Sequence, residues 1–153
     1  MTKYDIFDVA NWFLAKEPMT HKKLQKICYY AVAWGYALLN KEICERSEFQ
    51  AWVHGPVSIA LYERYKNVNF WEKISLDIAE CKNYLDNELN SLLQSVWITY
   101  GDQTGNSLEA LTHIEPPWKN ARGKCGVDDK CNTPISVSDM TNYYRSIYTG
   151  GDN

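Results

Sequence analysis

The chain has 153 residues, which is long enough for one domain with a substantial core. Hydrophobic residues make up 45% and charged residues 23% of it, a composition typical of a globular protein and not of a disordered one. The net charge of −3 argues against nucleic acid as a partner. The longest run without a charged residue, 27–40, is shorter than the ~20 residues that a membrane-spanning helix needs.

Two helices are predicted in the first part of the chain. Asp5 can cap a helix that Pro18 ends, and Thr20 can cap a second helix that ends at Asn40. Apolar residues over 24–38 recur at the i, i+3, i+4, i+7 spacing that is typical of an amphipathic helix. This second helix carries the strongest helical pattern of the sequence.

A short strand is predicted over residues 49–54, where side chains alternate with a period of two. Gly55-Pro56 is expected to end the strand, and a short helix is expected to open at Val57. A lone strand leaves backbone groups unpaired, so it needs a partner. That partner is residues 133–137, another part of this chain, or another protein.

Three further helical segments are predicted in the second half of the chain. A leucine-rich stripe runs over residues 85–100, and a short helix covers residues 104–112. We expect Pro116-Pro117 to stop that short helix and Ser138 to cap a last one. The fold class that follows is mainly α.

The predicted architecture is a single compact helical domain with a small two- or three-stranded β element. Neither an internal repeat nor a linker divides the sequence. We expect the domain to span residues 1–149 and residues 150–153 to form a disordered tail.

The face of the second helix opposite its apolar stripe is unusual for a solvated surface. It carries Lys22 and Lys26 near its start, and then Tyr29 and Tyr36 in place of further charges. Either the helix is central and packed on two sides, or the tyrosines contact a partner. The lysines oppose the helix dipole and could receive an acidic group.

Cysteine usage indicates a reducing compartment, because the number is odd and no pair has C-x-x-C spacing. Charged residues interrupt the N-terminus, so no secretion signal is expected, and the predicted location is cytoplasmic. The cysteines are Cys28, Cys44, Cys81, Cys125 and Cys131.

Catalytic alternatives are weak. A cysteine hydrolase would need Cys28, but this residue falls on the apolar stripe, where a thiol packs and does not react. Zinc could be held by Cys125 and Cys131 with His54 or His113, although C-x5-C is not a usual half-site. Two free thiols in a loop are the simpler interpretation, and we expect no catalytic residue, metal or cofactor.

Three sequence blocks together resemble the SocA-like, or Panacea, antitoxin domain, a family often described as phage-associated. The first block is residues 10–14 and 19–31 with Trp34 beyond, the second is residues 49–57 followed by Leu61-Tyr62, and the third is residues 112–122. Their order and spacing match over most of the chain. Pro116 departs from the family, which tends to have glycine there.

The resemblance implies a non-enzymatic antitoxin that neutralises a cognate protein toxin by direct binding. Some members of the family deliver the toxin to a Clp-type protease. We expect partner-binding residues at Lys22, Lys26, Tyr29, Trp52, His54, Trp118 and Arg122. Gly55 and Pro56 form a structural motif, and the aromatic residues could equally pin the strand to the body.

Two other functions stay open at this point. One is a phage- or mobile-element-encoded inhibitor that binds a host defence protein. The other is a hydrolase that depends on cysteine and histidine or on zinc.

Overall fold

A computed structural model of the protein describes residues 3–80, 85–126 and 128–150. Within these residues, seven α-helices surround a core and two small antiparallel sheets lie at its edge, which confirms the predicted mainly α class. The helices are α1 (Ile6–Lys16), α2 (His21–Trp34), α3 (Ile59–Tyr65), α4 (Asn87–Tyr100), α5 (Gly105–His113), α6 (Pro116–Ala121) and α7 (Val137–Gly150). The strands are β1 (Met19–Thr20), β2 (Gln50–Trp52), β3 (Gly55–Val57) and β4 (Lys73–Ile74).

Local capping explains where α1 and α2 begin. Asp5 accepts a hydrogen bond from the backbone N–H of Phe7, and Asp8 accepts one from Asp5, which completes a capping box. The hydroxyl of Thr20 accepts from the N–H of Lys23 at 3.2 Å. Both predicted caps are therefore confirmed. A π-helical segment continues α2 to residue 39.

The centre of the molecule is α2, which packs against α1, α4, α5 and α7. Ten consecutive residues of α2, 24–33, are buried, so the helix has no solvated face along this stretch. The alternative in which the second helix is central is therefore correct. Its buried polar members are Gln25 and Lys26.

The predicted strand is half of a tight hairpin. Strand β2 pairs antiparallel with β3, Trp52 lies opposite Gly55, and two residues form the turn between them. Gly55 has φ +107°, which L side chains rarely adopt, and this allows the chain to reverse. The prediction of a helix opening at Val57 was wrong, because α3 begins two residues later after its cap, Ser58.

The other edge of β2 is paired by a later part of the chain. The N–H of Ala51 donates to the carbonyl of Thr133 at 2.9 Å, and Ile135 donates to Phe49 at 2.8 Å. Of the three alternatives for the partner of the strand, two parts of this chain are therefore present: β3 on one edge and residues 133–135 on the other. A second sheet joins β1 to β4, with Met19 opposite Ile74.

Two helix boundaries differ from expectation. The short helix α5 does end before the prolines, at His113, but Pro116-Pro117 also begins a new helix, α6, because proline is tolerated in the first turn, where its missing N–H has no intrahelical acceptor. The last helix begins at Val137 and not after Ser138. Ser136 accepts a hydrogen bond from the N–H of Asp139 at 3.1 Å and so takes the capping position.

The cysteines depart from the expected free thiols in one place. Cys125 and Cys131 form a disulfide whose Cα atoms lie 6.1 Å apart, whereas Cys28 and Cys44 are free and buried. Cys81 and residues 151–153 of the expected tail lie outside the described residues. No described helix combines the length and hydropathy that crossing a bilayer requires.

Candidate partner-binding site

A surface cavity of about 660 Å³ lies between the first turns of α2 and α5 and the β2–β3 hairpin. We call it the α2–α5 cavity. Four of the seven residues expected to bind a partner line it: Lys22, Lys26, Trp52 and His54. The remaining lining residues are Thr20, His21, Gln25, Val57, Tyr62, Val68, Phe70, Thr104, Gly105 and Asn106.

Lys26 is the most unusual charge in the cavity wall. It is 2% exposed, and its ammonium donates to the carbonyl oxygen of Pro56 at 3.0 Å. Burial lowers the pKa of Lys26 to about 7, and the nearby positive charge of Lys22 lowers it further, against the opposing effect of Glu109. The amino group of Lys26 therefore titrates close to neutral pH.

Glu109 of α5 connects the three elements around the cavity. Its carboxylate lies 2.6 Å from the ammonium of Lys22 and 3.2 Å from Nδ1 of His54. Burial alone would raise the pKa of Glu109, but these two contacts outweigh it and hold the pKa below its usual value. Lys22 also donates to Asn106 at 2.9 Å, so its position is fixed by two acceptors on α5.

The wall near α3 is held by an amide and an imidazole. Gln25 bonds the backbone of Ser58 in both directions, accepting from its N–H at 2.8 Å and donating to its carbonyl at 3.2 Å. His21 lies 3.1 Å from the Gln25 amide. Burial, followed by the charge of Lys26, lowers the pKa of His21 to about 4, so this imidazole is neutral at physiological pH.

Aromatic side chains form the apolar side of the cavity. Trp52 packs edge-on against Tyr62, with ring centroids 4.9 Å apart. Phe70 is 84% exposed at the mouth and contacts the 64% exposed Trp71 at 5.2 Å. Large aromatic groups left in solvent in this way are a feature of interaction surfaces.

Tyr29 lies in the core and not on the cavity. It is 1% exposed, and its hydroxyl lies 3.0 Å from that of Tyr144. Burial raises the pKa of Tyr29 well above its usual value, so it stays protonated. A partner cannot reach Tyr29 in this structure, and its surroundings explain its presence without one.

Trp118 and Arg122 lie behind the hairpin. The indole of Trp118 donates to the carbonyl of Trp52 at 2.9 Å, and Arg122, 5% exposed, donates to the carbonyl of Ala51 at 3.0 Å. The guanidinium lies 5.1 Å from the centroid of the Trp118 ring, so the two side chains form a cation–π pair. These contacts favour the alternative in which the aromatic motif pins the strand to the body.

The same motif also supplies a buried acid that sequence reasoning missed. Glu115 accepts hydrogen bonds from the hydroxyls of Tyr30 at 2.8 Å and Tyr144 at 2.7 Å. Burial raises the pKa of Glu115, although both tyrosine bonds oppose this. Its place in the third sequence block was the available signal.

Sequence reasoning also missed Glu109, which contacts two cavity residues, and Phe70, which lines the cavity. Nothing local marks Glu109 as the residue that bridges Lys22 and His54, because the three are far apart in sequence. Phe70-Trp71 was detectable as an aromatic pair within the polar stretch 66–73.

The proposed catalytic sets are not assembled. Cys28 is fully buried, and burial raises the pKa of its thiol well above the usual value, so it is not a thiolate. Cys125 and Cys131 are bonded to each other and offer no thiolate to zinc. In the described residues, no three His, Cys, Asp or Glu side chains are grouped as a metal site would require.

The fold is a mainly helical domain whose cavity combines the buried Lys26 and the half-buried Lys22 with aromatic side chains. The chain belongs to the antitoxin SocA-like, Panacea domain family, whose model matches residues 24–119. The matched region runs from α2 into α6 and includes Lys26, Trp52 and His54. No curated protein and no solved structure matches the chain.

Proposed function

We propose that this protein is an antitoxin that neutralises a cognate protein toxin by binding it directly. The observation that carries the proposal is the family match over residues 24–119. A role in a toxin–antitoxin pair accounts for a domain that presents a binding cavity and keeps its free described cysteines buried.

The α2–α5 cavity and its exposed rim are the surface that we assign to the toxin. Phe70 and His54 are exposed there, and Trp52 and Lys22 lie beside them. The residues that contribute most to binding energy in protein interfaces are often aromatic side chains and partly buried charged ones. Tyr29, Trp118 and Arg122 support the fold and are not part of this proposed surface.

The test is growth rescue. The gene adjacent to this one is expressed from an inducible promoter, and colony survival is measured with and without the protein. We expect toxicity that the wild type relieves and that Phe70→Asp relieves at least tenfold less well, since a charge replaces an exposed aromatic anchor. The matched control is Ile98→Asp on α4, where a side chain 73% exposed lies outside the cavity lining.

Two results would contradict this proposal. One is a toxic neighbour that the wild-type protein fails to neutralise. The other is a harmless neighbour together with inhibition of a host defence protein. Rescue is repeated in cells that lack the Clp-type protease, because occupation of the toxin survives that deletion and delivery for degradation does not.

A further inference from the structure

Among the described residues, the ammonium of Lys26 forms no ion pair with a carboxylate, although it is almost completely buried. Lysine carries three N–H donors, and Pro56 accepts one of them. The negative charge of Glu109 acts on Lys26 and raises its pKa, but this carboxylate lies within ion-pair distance of Lys22 and His54 and not of Lys26. A buried cation without a directly paired carboxylate is unfavourable, so this wall of the cavity favours a negative ligand.

Two helix N-termini reinforce the positive character of the cavity. Residues from the start of α2, Thr20 and His21, and from the start of α5, Thr104 and Gly105, line it. The helices are 14 and 9 residues long, so both present the positive end of a helix dipole. These dipoles add to the charges of the two lysines.

The opposite side of the cavity is lined by aromatic rings, so a ligand that fills the cavity needs an apolar group beside its negative charge. Trp52, Tyr62 and Phe70 offer ring surface there. A volume of about 660 Å³ is comparable to pockets that bind small molecules, which gives room for a few side chains. Phe70 and its neighbour Trp71 extend this apolar surface beyond the mouth, which suits a protein partner better than a free small molecule.

We propose that the α2–α5 cavity receives an aspartate or glutamate side chain of the protein partner, with an adjacent apolar side chain packed on Trp52 and Phe70. The carboxylate accepts hydrogen bonds from Lys26 and Lys22, and so gives the ammonium of Lys26 a second acceptor beside the carbonyl of Pro56. This inference rests on the proposed function for the identity of the partner as a toxin, but the chemistry of the contact does not depend on it.

The experiment is a selection from a library of short random peptides displayed on phage, with the purified protein as bait. For the wild type we expect enrichment of an acidic residue beside an aromatic or aliphatic one. Lys26→Met removes the ammonium, and Asn106→Trp fills the mouth from an exposed rim position. Selected peptides, synthesised and titrated, should bind either variant about tenfold more weakly or worse.

The matched control is Lys119→Met, which removes an exposed lysine of α6 outside the cavity and should bind like the wild type. Circular dichroism checks that each variant is folded, and Asn106→Trp serves if Lys26→Met is not. Three results would overturn the proposal. The selected peptides lack an acidic residue, they bind Asn106→Trp as tightly as the wild type, or the wild type as bait enriches no peptide beyond those that Asn106→Trp enriches. Self-association that the cavity variants abolish would assign the cavity to a second copy of this chain instead.

The selection contains no toxin, so its failure is distinct from failure of the rescue test. If peptides bind as expected and no toxin is neutralised, the cavity chemistry stands and the antitoxin role falls. If rescue succeeds and the selection returns no acidic motif, the toxin is bound through other contacts.

Discussion

At Lys26, burial lowers the stability of the protein by an amount that depends on pH. The pKa is about 7 in the folded chain against 10.5 for an unperturbed lysine. Between these values the unfolded chain binds one more proton than the folded chain, so the free energy of unfolding rises with pH by up to about 1.4 kcal/mol per unit. Below the folded pKa both states are protonated, the full penalty remains and this slope vanishes.

We therefore predict that the wild type gains stability from about pH 7 to pH 9.5 relative to Lys26→Met, which lacks the titrating group. Urea unfolding at several pH values measures this difference. The window ends below the ordinary lysine pKa of 10.5. Burial also raises the pKa of Cys28, Cys44, Tyr30 and Tyr144, and their effect on stability has the opposite sign, but it is common to both proteins and cancels in the difference. A constant difference across the window would show that Lys26 titrates as it does in water, and Lys119→Met is the control.

At the scale of elements, the β2–β3 hairpin and α2 constrain one another through Gly55. A β-carbon there would lie 2.8 Å from Cε of Lys26 and 3.1 Å from the hydroxyl oxygen of Thr112. Glycine at this position thus allows the positive φ of the turn and also leaves room for the side chain of Lys26 that packs against it. This explains why a small hairpin can cover a long cationic side chain.

Gly55→Ala should lower the free energy of unfolding by about 2–4 kcal/mol, because backbone strain and the contact with Lys26 both oppose the added methyl group. His54→Ala, in the same turn, removes the contact between an exposed imidazole and Glu109 and should cost less than about 1 kcal/mol. Chemical denaturation of both variants gives the comparison. Equal losses would mean that the turn tolerates a side chain and that the left-handed conformation is not required.

The elements that sequence predicted well are those set by neighbouring residues. The caps at Asp5 and Thr20 depend on bonds within four positions, and the pattern alone identified them. The return strand β3 was missed because Gly55-Pro56 resembles a strand end, whereas the positive φ of Gly55 makes it a reversal. The outer face of α2 could not be assigned, since burial on two sides depends on α7, which is remote in sequence.

The candidate site divides in the same way. Lys22, Lys26, Trp52 and His54 were selected for their residue type, and the fold brings them to one cavity. Glu109 contacts Lys22 and His54 of that cavity because α5 packs on α2, which no local pattern specifies.

At the scale of the whole molecule, the two sides of the hairpin have different neighbours. Its front faces the α2–α5 cavity, and its back is held by Trp118 and by Arg122, which donates to the carbonyls of Gly126 and Asp129, both at 2.8 Å. The Cys125–Cys131 disulfide closes the loop that carries those two acceptors. The disulfide therefore lies on the side of the hairpin that Arg122 supports and not on the side that faces the cavity.

The double variant Cys125→Ser with Cys131→Ser should lower the free energy of unfolding by about 2 kcal/mol, the value expected for a short cross-linked loop. Peptide binding to the cavity should change less than about twofold, since the loop lies on the other side of the hairpin. In excess reductant the disulfide of the wild type is reduced, as it is in a reducing compartment, so the wild type should then unfold like the double variant. Lys124→Ser, within the same loop region, is the control for substitution alone. Loss of binding on reduction, without global unfolding, would instead show that the loop positions the front of the hairpin through Arg122.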